Sequence, residues 1–158
     1  MLNPKIDDWF KFKGWVPHNY QIELNNKLSN LNSALVIAPT GGGKTLAGFI
    51  PAIADIIKEV PKGLHTLYIS PLKALANDIE RNLEFPIKEM ELDITLETRT
   101  GDTKQSKRNF QKHNPPNFLM TTPESFILML SWETSKKFFS NLKFLIIDEI
   151  HTLFNDKR

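Results

Sequence analysis

Ala34-Leu35-Val36-Ile37-Ala38-Pro39-Thr40-Gly41-Gly42-Gly43-Lys44-Thr45 passes from a short apolar run, through a glycine loop, into a stretch where Leu46, Ile50, Ile53 and Ile57 recur at helical spacing. A glycine loop between strand and helix leaves backbone N–H groups free to point at phosphate oxygens. The helix that follows turns the positive end of its dipole to the same place. Lys44 adds a full charge for the β- and γ-phosphates, and the Thr45 hydroxyl suits a Mg2+ ligand. The plain alternative is a glycine-rich turn with no ligand, which the rarity of Gly, Lys and Thr at this spacing disfavours. The usual pattern opens on glycine, and Ala38 stands there instead.

Far downstream, Leu145-Ile146-Ile147-Asp148-Glu149-Ile150-His151 ends an apolar run in adjacent carboxylates. This suits a metal held through Asp148 and a water activated by Glu149. A carboxylate capping the next helix is the bland reading; the glycine loop upstream favours the acidic partner of a triphosphate cradle. Thr40, Gly41, Gly42, Gly43, Lys44 and Thr45 are expected around the phosphates, with Thr45 and Asp148 around one Mg2+.

The 158 residues, 41% hydrophobic and 24% charged, suit one domain with a sizeable core. Zero cysteines exclude disulfides and thiolate metal sites and fit a cytoplasmic location. Asp7 and Asp8 beside Trp9 and Phe10 lack the order of a signal peptide. Pro51 and Asp55 interrupt the most apolar stretch, so no membrane is expected as a partner. A net charge of +2 leaves nucleic-acid contact to local placement.

Tyr20, Leu24, Leu28 and Leu31 read as an amphipathic helix over 17–31, entered through Pro17. Ala34–Ala38 reads as a strand, residues 46–57 as a helix kinked at Pro51, and Thr66–Ser70 as a buried strand. A helix marked by Leu72, Leu75, Ile79 and Leu83 follows, with Leu72 and Leu75 expected in packing. Strict alternation in Leu92–Glu97 argues for an edge strand. A basic helix carrying Lys104, Lys107, Arg108 and Lys112 comes next, read as a solvated face in preference to a phosphate stripe. Phe118–Thr121 is a strand, Phe126–Leu130 a largely buried helix, and Lys143–Asp148 the last strand. Strands alternating with helices imply a parallel α/β sheet with ligands at the strands' carboxyl ends.

The order of motifs carries a family resemblance: Gln21, the glycine loop, Ser70-Pro71-Leu72-Lys73-Ala74-Leu75-Ala76-Asn77-Asp78, Thr100-Gly101-Asp102, Thr121-Thr122-Pro123-Glu124-Ser125 and Asp148-Glu149-Ile150-His151. Over roughly residues 10 to 158 it resembles the first motor domain of superfamily 2 DExH-box helicases, and most the large-helicase-related and ligase-associated branch. Loops beginning Ala-x-Thr-Gly are common there, so Ala38 narrows the class. The resemblance implies a P-loop NTPase of RecA-like three-layer architecture with a mainly parallel sheet. It divides the chain into an N-terminal segment and helix carrying Gln21 (1–31) and a motor domain (32–158) truncated after the DExH strand.

It further implies that Gln21 reads adenine, as an amide with donor and acceptor can, although a solvent-facing helix residue is the alternative. By the same resemblance His151 joins Lys44, Asp148 and Glu149 in the catalytic set and relays nucleotide state. Pro71, Lys73, Thr100, Gly101, Asp102, Thr121, Thr122, Pro123, Glu124 and Ser125 would grip the backbone of one strand without reading its sequence. The implied activity is ATP-dependent unwinding or translocation on single-stranded or tailed duplex nucleic acid, DNA favoured, with 3′-to-5′ travel. A second RecA-like domain, in cis or in trans, would donate arginines worth on the order of 10³ to 10⁵ in rate. These residues alone are therefore expected to hydrolyse ATP near background. A non-catalytic interaction module descended from a helicase half is the alternative. A GTPase is disfavoured because Asn26-Lys27 is followed by Ser29 where aspartate belongs.

Overall fold

The computed structural model describes residues 2–28, 33–39 and 42–155. They belong to two compact units, one of residues 1–59 with 88–92 and one of residues 60–87 with 93–158.

The first unit opens on α1 (Pro4–Phe12), a helix the sequence reading did not anticipate. Asn3 caps it by accepting from the Lys5 N–H at 3.0 Å, and Pro4 sits in the first turn, where a missing N–H costs nothing. Ile6, Trp9 and Phe10 share its buried face. The Trp9 indole N–H donates to Glu89 Oε2 at 2.7 Å, and the Lys13 ammonium pairs with Glu89 Oε1 at 2.5 Å. Those two partners, Lys13 first, hold the Glu89 carboxyl below its usual range. α2 (Asn19–Lys27) is shorter than the 17–31 expected, and Leu31 lies outside the described residues. It packs against α3 (Lys44–Lys58), which buries Phe49, Ile50, Ile53 and Ile56 and runs on past Pro51.

The expected strand Ala34–Ala38 does not form: residues 33–39 carry no strand, and Leu35 and Ile37 are 72% and 88% exposed. An apolar run specifies hydrophobicity but names no ladder partner, and a strand exists only in a ladder.

The ladder is built in the second unit, which runs β1 (Thr66–Ile69), α4 (Lys73–Glu89, in this unit up to Ile87), β2 (Leu96–Arg99), α5 (Gln105–His113), β3 (Phe118–Thr121), α6 (Pro123–Leu130), α7 (Ser135–Phe138), β4 (Phe144–Ile147) and α8 (Ile150–Asn155). The four strands are parallel in the order β2-β3-β1-β4. β1 and β3 are buried throughout, as central parallel strands covered on both faces must be. Leu64, Leu67, Ile69, Leu119, Met129 and Phe138 form one core, each buried side chain contributing roughly 1.5 to 3 kcal/mol.

β2 lies at the sheet edge, but it starts at Leu96 instead of Leu92. Asn117 sets that start. Its Oδ1 accepts from the Thr95 N–H at 2.9 Å, and its Nδ2 donates to the Pro61 and Gly63 carbonyls at 2.9 and 3.1 Å. α6 is less buried than expected: Ser125 and Met129 are inside, while Ile127, Leu128 and Leu130 are exposed. Apolar residues in a row around a helix cannot all face one core. Leu72, expected in packing, is also exposed.

Candidate functional site

In the first unit the glycine loop is a tight corner. The Gly42 N–H donates to the Pro39 carbonyl at 3.1 Å, and Gly43 caps α3 in left-handed backbone, φ +76°. Any L-residue at Gly43 would be strained, and its Cβ would lie 2.9 Å from Gln21 Nε2. The corner leaves the first N–H groups of a 15-residue helix, those of Lys44 and Thr45 among them, without intrahelical acceptors. Thr40 and Gly41 lie outside the described residues.

Gln21 is 2% exposed, which removes the reading of a solvent-facing helix residue. Its Oε1 accepts from the His18 N–H at 2.8 Å and its Nε2 donates to the Gly43 carbonyl at 3.1 Å. One amide therefore caps α2 and fastens it to the glycine turn. Beside it the Tyr20 ring stacks on His18, and the Tyr20 hydroxyl would touch a Cβ at Gly42 or Gly43 at 3.6 Å. That hydroxyl is buried with no partner among the described residues, and burial raises its pKa. An orphaned hydroxyl, bare helix amides and a lysine in the first turn are the donors a polyphosphate takes up, so this loop fits a nucleotide. Trp15 is half exposed and meets Trp9 edge-on at 5.7 Å.

In the second unit the corner after β4 carries the acidic residues. The Asp148 N–H continues the ladder to the Ile69 carbonyl at 3.0 Å. Its carboxylate is fixed at both oxygens, Oδ1 by the Glu149 N–H at 2.9 Å and Oδ2 by the Tyr68 hydroxyl at 2.7 Å. Tyr68 was not singled out from sequence; its only signal is a polar tip inside an apolar strand. Burial first, then the Asp148 carboxylate, pushes the Tyr68 phenol far above its ordinary pKa, so it stays a donor. Glu149 has φ +48°, costly for a residue with a Cβ. Its carbonyl accepts from the Thr152 N–H at 2.9 Å and hydroxyl at 2.8 Å, and its Oε2 lies 3.4 Å from His151 Nδ1. Among the described residues no three acidic or histidine side chains cluster. Asp148, fixed at both oxygens with a lone pair left on each, is the kind of donor Mg2+ takes, an ion ordinarily held by one or two carboxylates plus phosphate oxygens and water.

Because the strands are parallel, the segments after β1, β2 and β3 emerge at the same edge of the sheet. Lys73 reaches across to Asp102 at 2.8 Å and covers Gly101. Thr100 is buried, and the Thr121 hydroxyl donates to the Arg99 carbonyl at 2.7 Å. Thr122 caps α6 by accepting from the Ser125 N–H at 3.5 Å, Pro123 opens the helix, and Glu124 is exposed in its first turn. The basic face of α5 is not simply solvated. Arg108 turns inward to the Thr100 and Gly101 carbonyls, and Lys107 lies 4.0 Å from Glu97. The Arg99 guanidinium stacks on Trp132 at 4.7 Å; burial, then Arg108, lowers its pKa to about 10.

No helix among the described residues is long and apolar enough to cross a membrane. The family model described as DEAD/DEAH box helicase matches residues 18–158. The ATP-dependent helicase Lhr-Core of Methanocaldococcus jannaschii is 37% identical over 99% of this chain and 20% of its own length. The Lhr helicase/uracil glycosylase of Escherichia coli is 36% identical over 100% and 11%. The chain thus spans between 11% and 20% of the length of these relatives. The solved structure of Mycobacterium smegmatis helicase Lhr bound to ssDNA and AMP-PNP superposes with TM-score 0.87 at 38% identity, covering 96% of this chain and 21% of that one. The DUF1998 helicase MrfA bound to DNA and AMPPNP gives 0.84 at 27% identity, covering 96% and 21%.

Proposed function

The chain belongs to the DEAD/DEAH box helicase family, and from that premise we propose that it is the ATP-binding half of a nucleic-acid motor that couples ATP hydrolysis to travel along a strand. The observation that carries this is the glycine corner. Gly43 in left-handed backbone opens a long helix on Lys44 and Thr45, inside a chain whose family match begins at the Gln21 helix.

In this reading residues 1–31 carry Gln21 and residues 32–158 form the RecA-like motor domain. Gly42, Gly43 and Lys44, with Thr40 and Gly41, take the phosphates, and Gln21, whose amide keeps one N–H and one lone pair beyond its bonds to Gly43 and His18, takes the adenine. Mg2+, which would screen the phosphate charge when bound, is assigned to Thr45 in the first unit and to Asp148 in the second. Glu149 orients the attacking water and accepts its proton, and His151, beside Glu149, transmits nucleotide state. Pro71, Lys73, Thr100–Asp102 and Thr121–Ser125 position one strand from the carboxyl edge of the sheet. Related helicases solved with ssDNA, with DNA and with ATP analogues support this reading and favour DNA; a cytoplasmic location is part of the same proposal. The direction of travel is 3′-to-5′, and a second RecA-like domain in cis or in trans completes the reaction.

The test is ATP hydrolysis and strand binding by the intact protein that contains this chain. Lys44→Ala and Glu149→Gln are expected to abolish strand-stimulated turnover. Strand effects that persist in full in both variants would support the non-catalytic module instead.

A further inference from the structure

Tyr68 stands in the middle of β1, bonded on one side to β3 and on the other to β4, and is 1% exposed. Packing alone is served there by phenylalanine; the hydroxyl needs another reason, because a buried O–H must find a partner. It donates to Asp148 Oδ2 at 2.7 Å, a length ordinary for a hydroxyl on a charged acceptor. With the Glu149 N–H on Oδ1 and the Asp148 N–H tied to Ile69, the carboxylate can no longer rotate about its terminal bond. Each oxygen accepts one of these bonds and keeps a second lone pair. A lysine or arginine would hold the same group but neutralise it. A phenol fixes the orientation and leaves the negative charge for a cation.

We propose that Tyr68 is a positioning residue for Asp148, holding its carboxylate in the orientation that receives the magnesium ion of bound nucleotide. This rests on the reading of Asp148 as the metal carboxylate. β1 runs directly into Pro71–Lys73, so the same strand that orients the metal carboxylate also carries part of the proposed nucleic-acid face.

Tyr68→Phe in the intact protein removes one oxygen and leaves the ring. Groups that orient a metal ligand typically alter affinity or rate by 10- to 100-fold. With a non-hydrolysable ATP analogue present, half-saturating Mn2+ is expected to rise about 10-fold. At saturating Mg2+, kcat is expected to fall about as much, while KM for ATP and strand affinity stay within about twofold. A merely structural role would lower Tm and leave the metal titration unchanged. A Tyr68→Phe titration that superposes on wild type, while Asp148→Asn is defective, overturns the proposal alone. If Asp148→Asn also binds Mn2+ as wild type does, the reading of Asp148 falls and the proposal with it. A Tyr68→Phe protein that no longer folds assigns the hydroxyl to the core and overturns the proposal equally.

Discussion

Two corners of the molecule turn through left-handed backbone just ahead of a helix, Gly43 before α3 and Glu149 before α8, with φ of +76° and +48°. At the first the chain uses the residue for which that geometry is nearly free, and any side chain would run into Gln21. At the second it keeps a glutamate at a conformational cost of roughly 1 to 2 kcal/mol. The difference teaches what each corner is for. Gly43 supplies bare backbone N–H groups to a helix start, where a side chain is in the way. Glu149 supplies a carboxylate, and in the proposed function the backbone strain is tolerated because that side chain orients the attacking water.

The contrast is broken most directly by exchanging the two strategies. Glu149→Gly is expected to lower strand-stimulated ATP turnover by about 10²-fold or more, the usual contribution of a general base. The same change relieves strain and raises Tm by a few degrees. Turnover near wild type would mean that the left-handed glutamate has no catalytic use. Glu91, at φ +49° after α4, is the control: Glu91→Gly should raise Tm similarly and leave turnover alone.

Gly43→Ala should do the reverse, lowering Tm and weakening nucleotide binding by about 5- to 30-fold in a titration, since about 1 to 2 kcal/mol of strain falls on the proposed phosphate corner. Unaltered affinity would detach the corner from the nucleotide.

Gln21→Ala removes the strap between α2 and Gly43 and leaves the His18 N–H unpaired, while the Gly43 carbonyl keeps its bond from the Ala47 N–H at 3.0 Å. The expected loss is about 1 to 3 kcal/mol of stability, read from denaturant unfolding. Gln21→Glu sharpens the point, because it keeps the acceptor for His18 but sets a carboxylate oxygen against a carbonyl.

Smaller effects belong to the surface. Asp102→Asn frees Lys73 from an exposed ion pair, so stability should change by less than about 1 kcal/mol. Strand affinity at low salt should rise about two- to threefold, a gain that high salt removes. At Glu89 the pKa is lowered in the folded state by Lys13 and Trp9. Its contribution is therefore in place above the ordinary carboxylate range and lost as pH falls through the lowered value. The Tm gap between wild type and Glu89→Gln should close as the pH is taken from neutral to about 3. A gap independent of pH would assign the effect to packing of Trp9.

Much of this was legible in the residues. Thr66–Ser70, Phe118–Thr121 and Lys143–Asp148 read correctly as strands because short apolar runs between turn residues become central or partner strands of a parallel sheet. The same signal failed at Ala34–Ala38 and misjudged the start of β2, where Asn117 and the ladder to β3 decide. α1 escaped notice although Asn3, Pro4 and the Ile6, Trp9, Phe10 face announce it. The solvated face assigned to α5 holds for part of that helix only, since Arg108 turns back to the Thr100 carbonyl at 2.9 Å.

The sequence by itself determined the class of fold and pointed to the chemistry proposed for the two corners, because glycines beside Lys44 and paired carboxylates after an apolar run act through their immediate neighbours along the chain. Only the tertiary structure decided that Gln21 spends both ends of its amide inside the protein, that Glu149 bears left-handed backbone, and that Asp148 is gripped by Tyr68. The last pair is 80 residues apart in sequence. Their meeting follows from the register of β1 against β4, a property of hydrogen-bonded ladders that no local pattern of residues encodes.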